Sequence, residues 1–167
     1  MIENDVITEW FYEYSDDIYN FLIYYTGSGD VEDLVQEVFV KAFRNFNSFQ
    51  KNSTPKTWLF SIARNVAIDE KRKYKKERTK REKVQKEINQ QVPTPETIYQ
   101  FNESKKQLYY TIQSLKQNYR DVLILRGIKE FSVQETATIL NWSENKVKVT
   151  FHRALKALEK KLGGSLI

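Results

Sequence analysis

Apolar residues recur along this chain at the three-and-four spacing of an amphipathic helix. Trp10 or Phe11, Tyr14, Ile18, Phe21, Leu22 and Tyr25 form one stripe, and Gly27 and Gly29 follow it as stop signals. Asp30 then reads as the cap of a second helix. Its apolar face is Val31, Leu34, Val35, Val38, Ala42 and Phe46, with Phe39 alongside. Asn47 to Thr57 is loop-like and punctuated by Pro55. A third helix is expected from about Trp58 past Lys73, burying Leu59, Ile62, Ala63 and Val66.

From Lys71 to Lys86 the pattern dissolves into ten Lys/Arg and two Glu in sixteen residues, with almost nothing to bury. Asn89 to Pro95 is linker-like in composition, and Thr94 with Pro95 reads as the N-cap and first position of a new helix. The expected organisation is a helical domain over 1–75, a flexible basic linker over 76–95 and a second helical domain over 96–167.

The second domain shows a helix through Leu108, Ile112 and Leu115, then another from Tyr119 to Ile128. Ser132 and Glu135 form a capping box that starts a short helix. Val133, Thr136, Ala137 and Leu140 give that helix its inner side. Asn141 to Ser143 form a turn, and Ser143 caps a long last helix to Leu162. This is the outline of a helix-turn-helix. At 100° per residue, Val147, Phe151, Ala154, Leu155, Leu158 and Leu162 share the inner face of the last helix. Asn145, Val149, His152, Arg153 and Lys156 share the outer face, flanked by Lys146 and Lys148. Lys and Arg there suit guanine edges or phosphates, and Val149 suits a thymine methyl. An ordinary basic surface helix would share much of this pattern.

Composition narrows the classes. A chain of 167 residues has room for one ordinary domain or two small ones. Cysteine is absent and histidine occurs once, which argues against disulfides, thiolate metal sites, zinc chemistry and Ser-His catalysis. Apolar runs such as Val122 to Leu125 fall far short of the ~18 residues of a membrane span. The acidic start, Met1 to Asp5, does not resemble a secretory or transit peptide. Five glycines and three prolines suit a helical chain. The expectation is a cytoplasmic, soluble, all-α protein that needs no cofactor.

Charge then divides the chain. Residues 1–40 hold ten acids and no Lys or Arg, while the remainder carries all 27 basic residues for a net +15. One acidic end and a basic remainder suggest two partners of opposite sign. The outward side of the second helix carries Asp33, Gln36, Glu37, Val40 and Arg44, with Glu32 at its border. That face cannot favour phosphates. Its residues leave open a protein-docking face or a solvated helix with one stray apolar residue.

Five stretches together resemble a known family. Asp30-x-x-Asp33-Leu34-x-Gln36-Glu37-x-Phe39, followed by Thr57-Trp58-Leu59-x-x-Ile62-Ala63-Arg64-Asn65-x-x-Ile68-Asp69-x-x-Arg72-Lys73, resembles the second conserved region of bacterial RNA polymerase sigma factors. Tyr119-Arg120-x-Val122-x-x-Leu125, Phe131-Ser132-x-x-Glu135 and Ser143-x-x-x-Val147-Lys148-x-x-x-x-Arg153-Ala154-x-x-x-Leu158 resemble the fourth. Order, spacing and length are similar to the extracytoplasmic-function group.

The resemblance implies an alternative sigma factor that binds core RNA polymerase and promoter DNA. Asp33, Gln36, Glu37, Val40 and Arg44 would dock on the polymerase. Asn52, Ser53 and Thr54 would hold an unstacked base of the −10 element, with Lys56, Arg64, Arg72 and Lys73 on phosphates. Lys146, Lys148, Val149, His152 and Arg153 would read the −35 element. Trp58 is shared between a packing role and a stacking platform, and Asn65 with Asp69 reads as a local hydrogen-bonding pair. An anti-sigma factor, membrane-bound or soluble, is a further expected partner, and no small-molecule substrate is implied. The loop bearing Pro55 departs from the family pattern, so base preference is not carried over. The alternatives are a stand-alone helix-turn-helix regulator and a metal-dependent nuclease built on Asp30, Glu32, Asp33 and Glu37.

Overall fold

The structure is a computed structural model that describes residues 2–27, 30–49, 53–82 and 102–163. Among these residues the chain is all-α. Helices α1 (Ile2–Thr26), α2 (Glu32–Arg44) and α3 (Pro55–Glu82) form a first bundle. The second contains α4 (Glu103–Gln113), α5 (Gln117–Val122), a π-helical segment over Leu123–Ile128, α6 (Val133–Leu140) and α7 (Glu144–Lys161).

The ends of the helices follow local chemistry. Gly27 stops α1 in the left-handed region (φ 69°), where a side chain would be strained, and donates its N–H to the Ile23 carbonyl. Gly29 lies outside the described residues. Helix α2 is capped by Val31 rather than Asp30, without a side-chain cap bond. Val31 is fully buried, and its carbonyl accepts from Val35 N at 2.9 Å, so core anchoring sets this start. Glu32 and Asp33 complement the helix dipole in the first turn. Helix α3 begins before the expected Trp58. Thr54 Oγ1 accepts the Thr57 N–H at 3.1 Å and Pro55 is the first helical residue, so this proline opens a helix instead of punctuating a loop.

The core of the first bundle is Ile18, Phe21 and Leu22 from α1, Val38 and Ala42 from α2, and Leu59, Phe60 and Ala63 from α3. It continues into the second bundle, because Phe60 meets Phe21 edge-on at 5.1 Å and Phe131 at 4.9 Å. The expected helix from Tyr119 to Ile128 starts instead at Gln117 and widens from Leu123, where Lys129 N bonds the Ile124 carbonyl five residues back. Leu123, Ile124 and Leu125 are all buried because this segment is wedged between α7 and α1. Glu130 then takes a positive φ of 58°, and Phe131 follows it into the core.

The helix-turn-helix forms as its caps dictate. Ser132 Oγ accepts from Glu135 N at 3.0 Å, and Glu135 Oε1 accepts from Ser132 N at 2.9 Å. Asn141 makes the turn in the left-handed region (φ 57°), and Ser143 Oγ accepts from Lys146 N. Helix α7 buries Val147, Ala154 and Leu158. Leu155, expected in that core, is instead 40% exposed. Its neighbour Ala154 holds the centre of a narrow contact stripe, and Leu155 stands about 100° round the helix from it. The Thr94–Pro95 helix start lies outside the described residues. No helix among the described residues is long and apolar enough to cross a membrane.

Candidate nucleic-acid interface and protein-docking face

Three faces carry the residues singled out from the sequence. The first is the outward side of α2, where Asp33, Gln36, Glu37, Val40 and Arg44 are all exposed. Phe43 joins them, 47% exposed, at a helical phase close to Gln36. Sequence reasoning missed this residue, although its phase could have found it. Phe11 and Tyr12 of α1 are also exposed, and Phe11 packs edge-on against Phe39 at 5.1 Å. Lys41 Nζ pairs with Glu37 at 3.4 Å and reaches Asp69 of α3 at 3.9 Å. Asp69 therefore faces α2 rather than pairing with Asn65.

The acids weighed as a metal site do not converge: among the described residues, no three or more His, Cys, Asp or Glu form a cluster of that kind.

The second face belongs to α7. Lys146, Lys148, Val149, His152 and Arg153 are all exposed, near the N-terminal end that a recognition helix inserts into a major groove. Lys146 Nζ lies 4.3 Å from the centroid of the Trp142 ring, which restrains an otherwise free side chain. Val149 supplies an apolar spot, 39% exposed, within the cationic surface.

The third face runs along α3 and is largely covered. Asn52 lies outside the described residues. Ser53 and Thr54 line a cleft of about 410 Å³ together with Thr57 and, from the second bundle, Ser132, Gln134, Glu135 and Thr138. Thr57 Oγ1 donates to Glu135 Oε2 at 3.5 Å across it. Lys56 Nζ pairs with Asp17 at 3.4 Å, and Arg64 Nη2 meets Asp121 Oδ2 at 3.4 Å. Arg72 and Lys73 are exposed. Trp58 is half-buried against Trp10 at 6.1 Å and Phe49 at 5.2 Å, inside an aromatic nest completed by Phe46. That packing agrees with its core role rather than a stacking platform.

Around Arg64 lies a polar network that the sequence did not disclose. Gln117 Nε2 donates to Asp121 Oδ1 and to the Tyr25 hydroxyl, both at 2.8 Å, while Gln117 Oε1 accepts from Arg120 and Lys71. Burial raises the Asp121 carboxyl above the usual carboxylate range, against the lowering pull of Arg64. Burial also brings the Lys71 ammonium down to about 8, helped by the Arg120 charge. The one available signal was Asp121 itself, an acid directly preceding the apolar run Val122 to Leu125.

Comparison with known proteins follows this division. The model of Sigma-70 region 2 matches residues 10–77, and that of Sigma-70 region 4 matches residues 105–158. The ECF RNA polymerase sigma factor SigX of Bacillus subtilis is 37% identical over 155 residues, covering 88% of this chain and 78% of that protein. The RNA polymerase sigma factor YlaC of the same organism is 33% identical over 164 residues, covering 97% and 95%. Among solved structures, the sigma factor RpoE of Bartonella quintana, in complex with the anti-sigma factor NepR, superposes with a TM-score of 0.78 at 25% identity. That match covers 95% of this chain and 97% of RpoE. CnrH, in complex with the cytosolic domain of CnrY, shares the fold at a TM-score of 0.68 and 20% identity, covering 97% and 90%.

Proposed function

The chain belongs to the ECF family of RNA polymerase sigma factors, and we propose that its three faces divide the work of an alternative sigma factor among themselves. It binds core RNA polymerase and promoter DNA and directs transcription initiation, which a stand-alone regulator does not do. Sigma factors are initiation factors rather than catalysts; this chain is accordingly read as no enzyme, acting in the cytoplasm.

The observation that carries the division is the separation of charge by face. The exposed side of α2 pairs acids with Val40 and Phe43, while the exposed N-terminal half of α7 is cationic. An acidic face repels phosphate and suits a basic protein helix, so α2 takes the core enzyme through Asp33, Gln36, Glu37, Val40 and Arg44. Lys146, Lys148, Val149, His152 and Arg153 take the −35 duplex. Asn52, Ser53, Thr54, Lys56, Arg64, Arg72 and Lys73 take the −10 strand. The two functional units are residues 1–75 and 96–167, joined through 76–95. RpoE, solved with the anti-sigma factor NepR, supports an anti-sigma partner for this chain as well.

Run-off transcription with purified core enzyme on a promoter library tests the reading. Initiation at a defined subset of promoters, lost when this chain is omitted, is the expected result. Transcription that proceeds equally without it would refute the assignment.

A further inference from the structure

Where the end of α1 meets α3 and the start of α5, positive charge exceeds its neutralisation. Arg64 and Lys71 of α3 and Arg120 of α5 gather about Asp121 and the Tyr25 ring. Three cations thus face one carboxylate, an excess of two. Arg64 takes that carboxylate at 3.4 Å. Among the described residues, neither Lys71 nor Arg120 forms an ion pair. Both donate instead to one neutral oxygen, Gln117 Oε1, at 3.4 and 3.1 Å. Arg120 also donates to Gln113 Oε1 at 3.2 Å, and Lys71 Nζ lies 4.9 Å from the centroid of the Tyr25 ring. The Arg120 Nε–H is buried with no hydrogen-bond partner. Lys71, Gln113, Gln117 and Arg120 are all half-buried, each keeping part of its surface in solvent.

An amide oxygen carries only a fraction of a charge, so two cations drawn partly out of water onto it are under-neutralised. Their mutual repulsion has a measurable trace: the Arg120 charge adds to burial in bringing the Lys71 ammonium down to about 8. An oxyanion in the place of Gln117 Oε1 would accept from Lys71 Nζ. It would also meet Arg120 along the guanidinium edge formed by Nε and Nη2, giving the bidentate contact that the present arrangement lacks. Charge selects among oxyanions. A phosphate monoester carries nearly two negative charges at neutral pH and matches the excess. A nucleic-acid diester, with one charge per phosphate, leaves half of it unmatched.

We propose that Lys71 and Arg120, framed by Gln113 and Gln117, bind a small phosphate dianion, either inorganic phosphate or the terminal phosphate of a small ester. None of these four residues belongs to the faces assigned to core polymerase, the −10 strand or the −35 duplex, so the site is additional to them. Occupancy neutralises the excess, keeps Lys71 protonated to higher pH and stabilises the folded chain in proportion to ligand concentration.

Titration calorimetry on the full chain at constant ionic strength tests the site, with sodium phosphate and glycerol phosphate as probes. Saturable binding is expected, weakened by about tenfold or more in Lys71→Gln and in Arg120→Gln, made separately. Lys160→Gln, which removes the same charge at an exposed position, should bind as the wild type does. The tighter of the two probes identifies the source as free or esterified phosphate. Sulfate, whose charge is constant above neutral pH, isolates the role of Lys71. The groups facing Lys71 are Tyr25 from α1, Arg64 from its own helix, and Arg120 and Asp121 from α5. Burial raises the Tyr25 phenol, which therefore stays neutral at pH 9. Sulfate binding at pH 9 should take up a proton, read from heats in two buffers of different ionisation enthalpy, and Lys71→Gln should abolish that uptake. If either site variant loses helical circular dichroism, the other decides. Absence of saturable binding overturns the proposal, as does an equal loss in Lys160→Gln, which would mark general charge screening. Proton uptake that persists in Lys71→Gln belongs to the Asp121 carboxyl and overturns the placement of the anion against Lys71.

Discussion

Arg64 of α3 and Asp121 of α5 form an ion pair 57 residues apart in sequence, with the aspartate side chain fully shielded from solvent. Breaking such a pair from one side leaves an uncompensated charge, whereas replacing both members by apolar groups removes the desolvation cost. Asp121→Leu alone should destabilise the chain by about 3 kcal/mol, the lower end for buried pairs, because Arg64 keeps some access to water. Asp121→Leu with Arg64→Met should recover wild-type stability or exceed it by about 1 kcal/mol. Urea unfolding of both single variants and the double variant measures this; single losses that simply add in the double variant would show that the two residues are not coupled.

Lys71 makes stability depend on alkaline pH. Its ammonium is held at about 8 by burial and by Arg120, with Asp121 acting the other way and the Tyr25 ring beneath it at 4.9 Å. A base depressed in the folded state binds fewer protons than the unfolded chain does between that value and the ordinary 10.5. The stability linked to this group therefore rises from pH 8 to about 10.5 and is absent below 8. The urea midpoint of the wild type relative to Lys71→Met should climb across that window. A constant difference would mean that the lysine is solvated.

The capping box carries a local stability term. Ser132→Ala removes the acceptor for Glu135 N and should cost about 1 kcal/mol. Ser132→Asp should retain most of the wild-type stability, because aspartate caps a helix equally well. If both substitutions cost the same, the hydroxyl acts through the neighbouring cleft and not through the helix end.

The docking and reading faces should fail independently. Asp33→Lys with Glu37→Lys should weaken association with core polymerase by about 2 kcal/mol or more, given like-charge juxtaposition on a basic partner. Duplex binding should be unaffected. Lys148→Ala or Arg153→Ala should do the reverse, with a base-specific loss of about 1–3 kcal/mol if the side chain reads guanine. A uniform loss with a shallower salt dependence would instead mark a phosphate contact. Quantitative core-binding and footprinting assays on the same variants resolve the two cases.

Much of this protein is legible from its sequence because the deciding interactions are local. The stripe through Ile18, Phe21 and Leu22, the Ser132–Glu135 box and the Ser143 cap each act within a few residues, so periodicity and residue type suffice to place them. The outward phases of α2 and α7 follow from the same helical geometry, and Phe43 was recoverable from it. Misplaced features mark where burial overrides local preference. The buried Val31 takes the cap position in place of Asp30, and Leu155 falls beside the contact stripe instead of within it. Only the tertiary structure decided the pairing of Arg64 with Asp121, the sharing of Asp17 by Lys56 and Lys129, and the joining of the two bundles through Phe60 and Phe131. Those contacts link residues dozens of positions apart, and helical periodicity gives the face on which a charge lies but not the partner that approaches it.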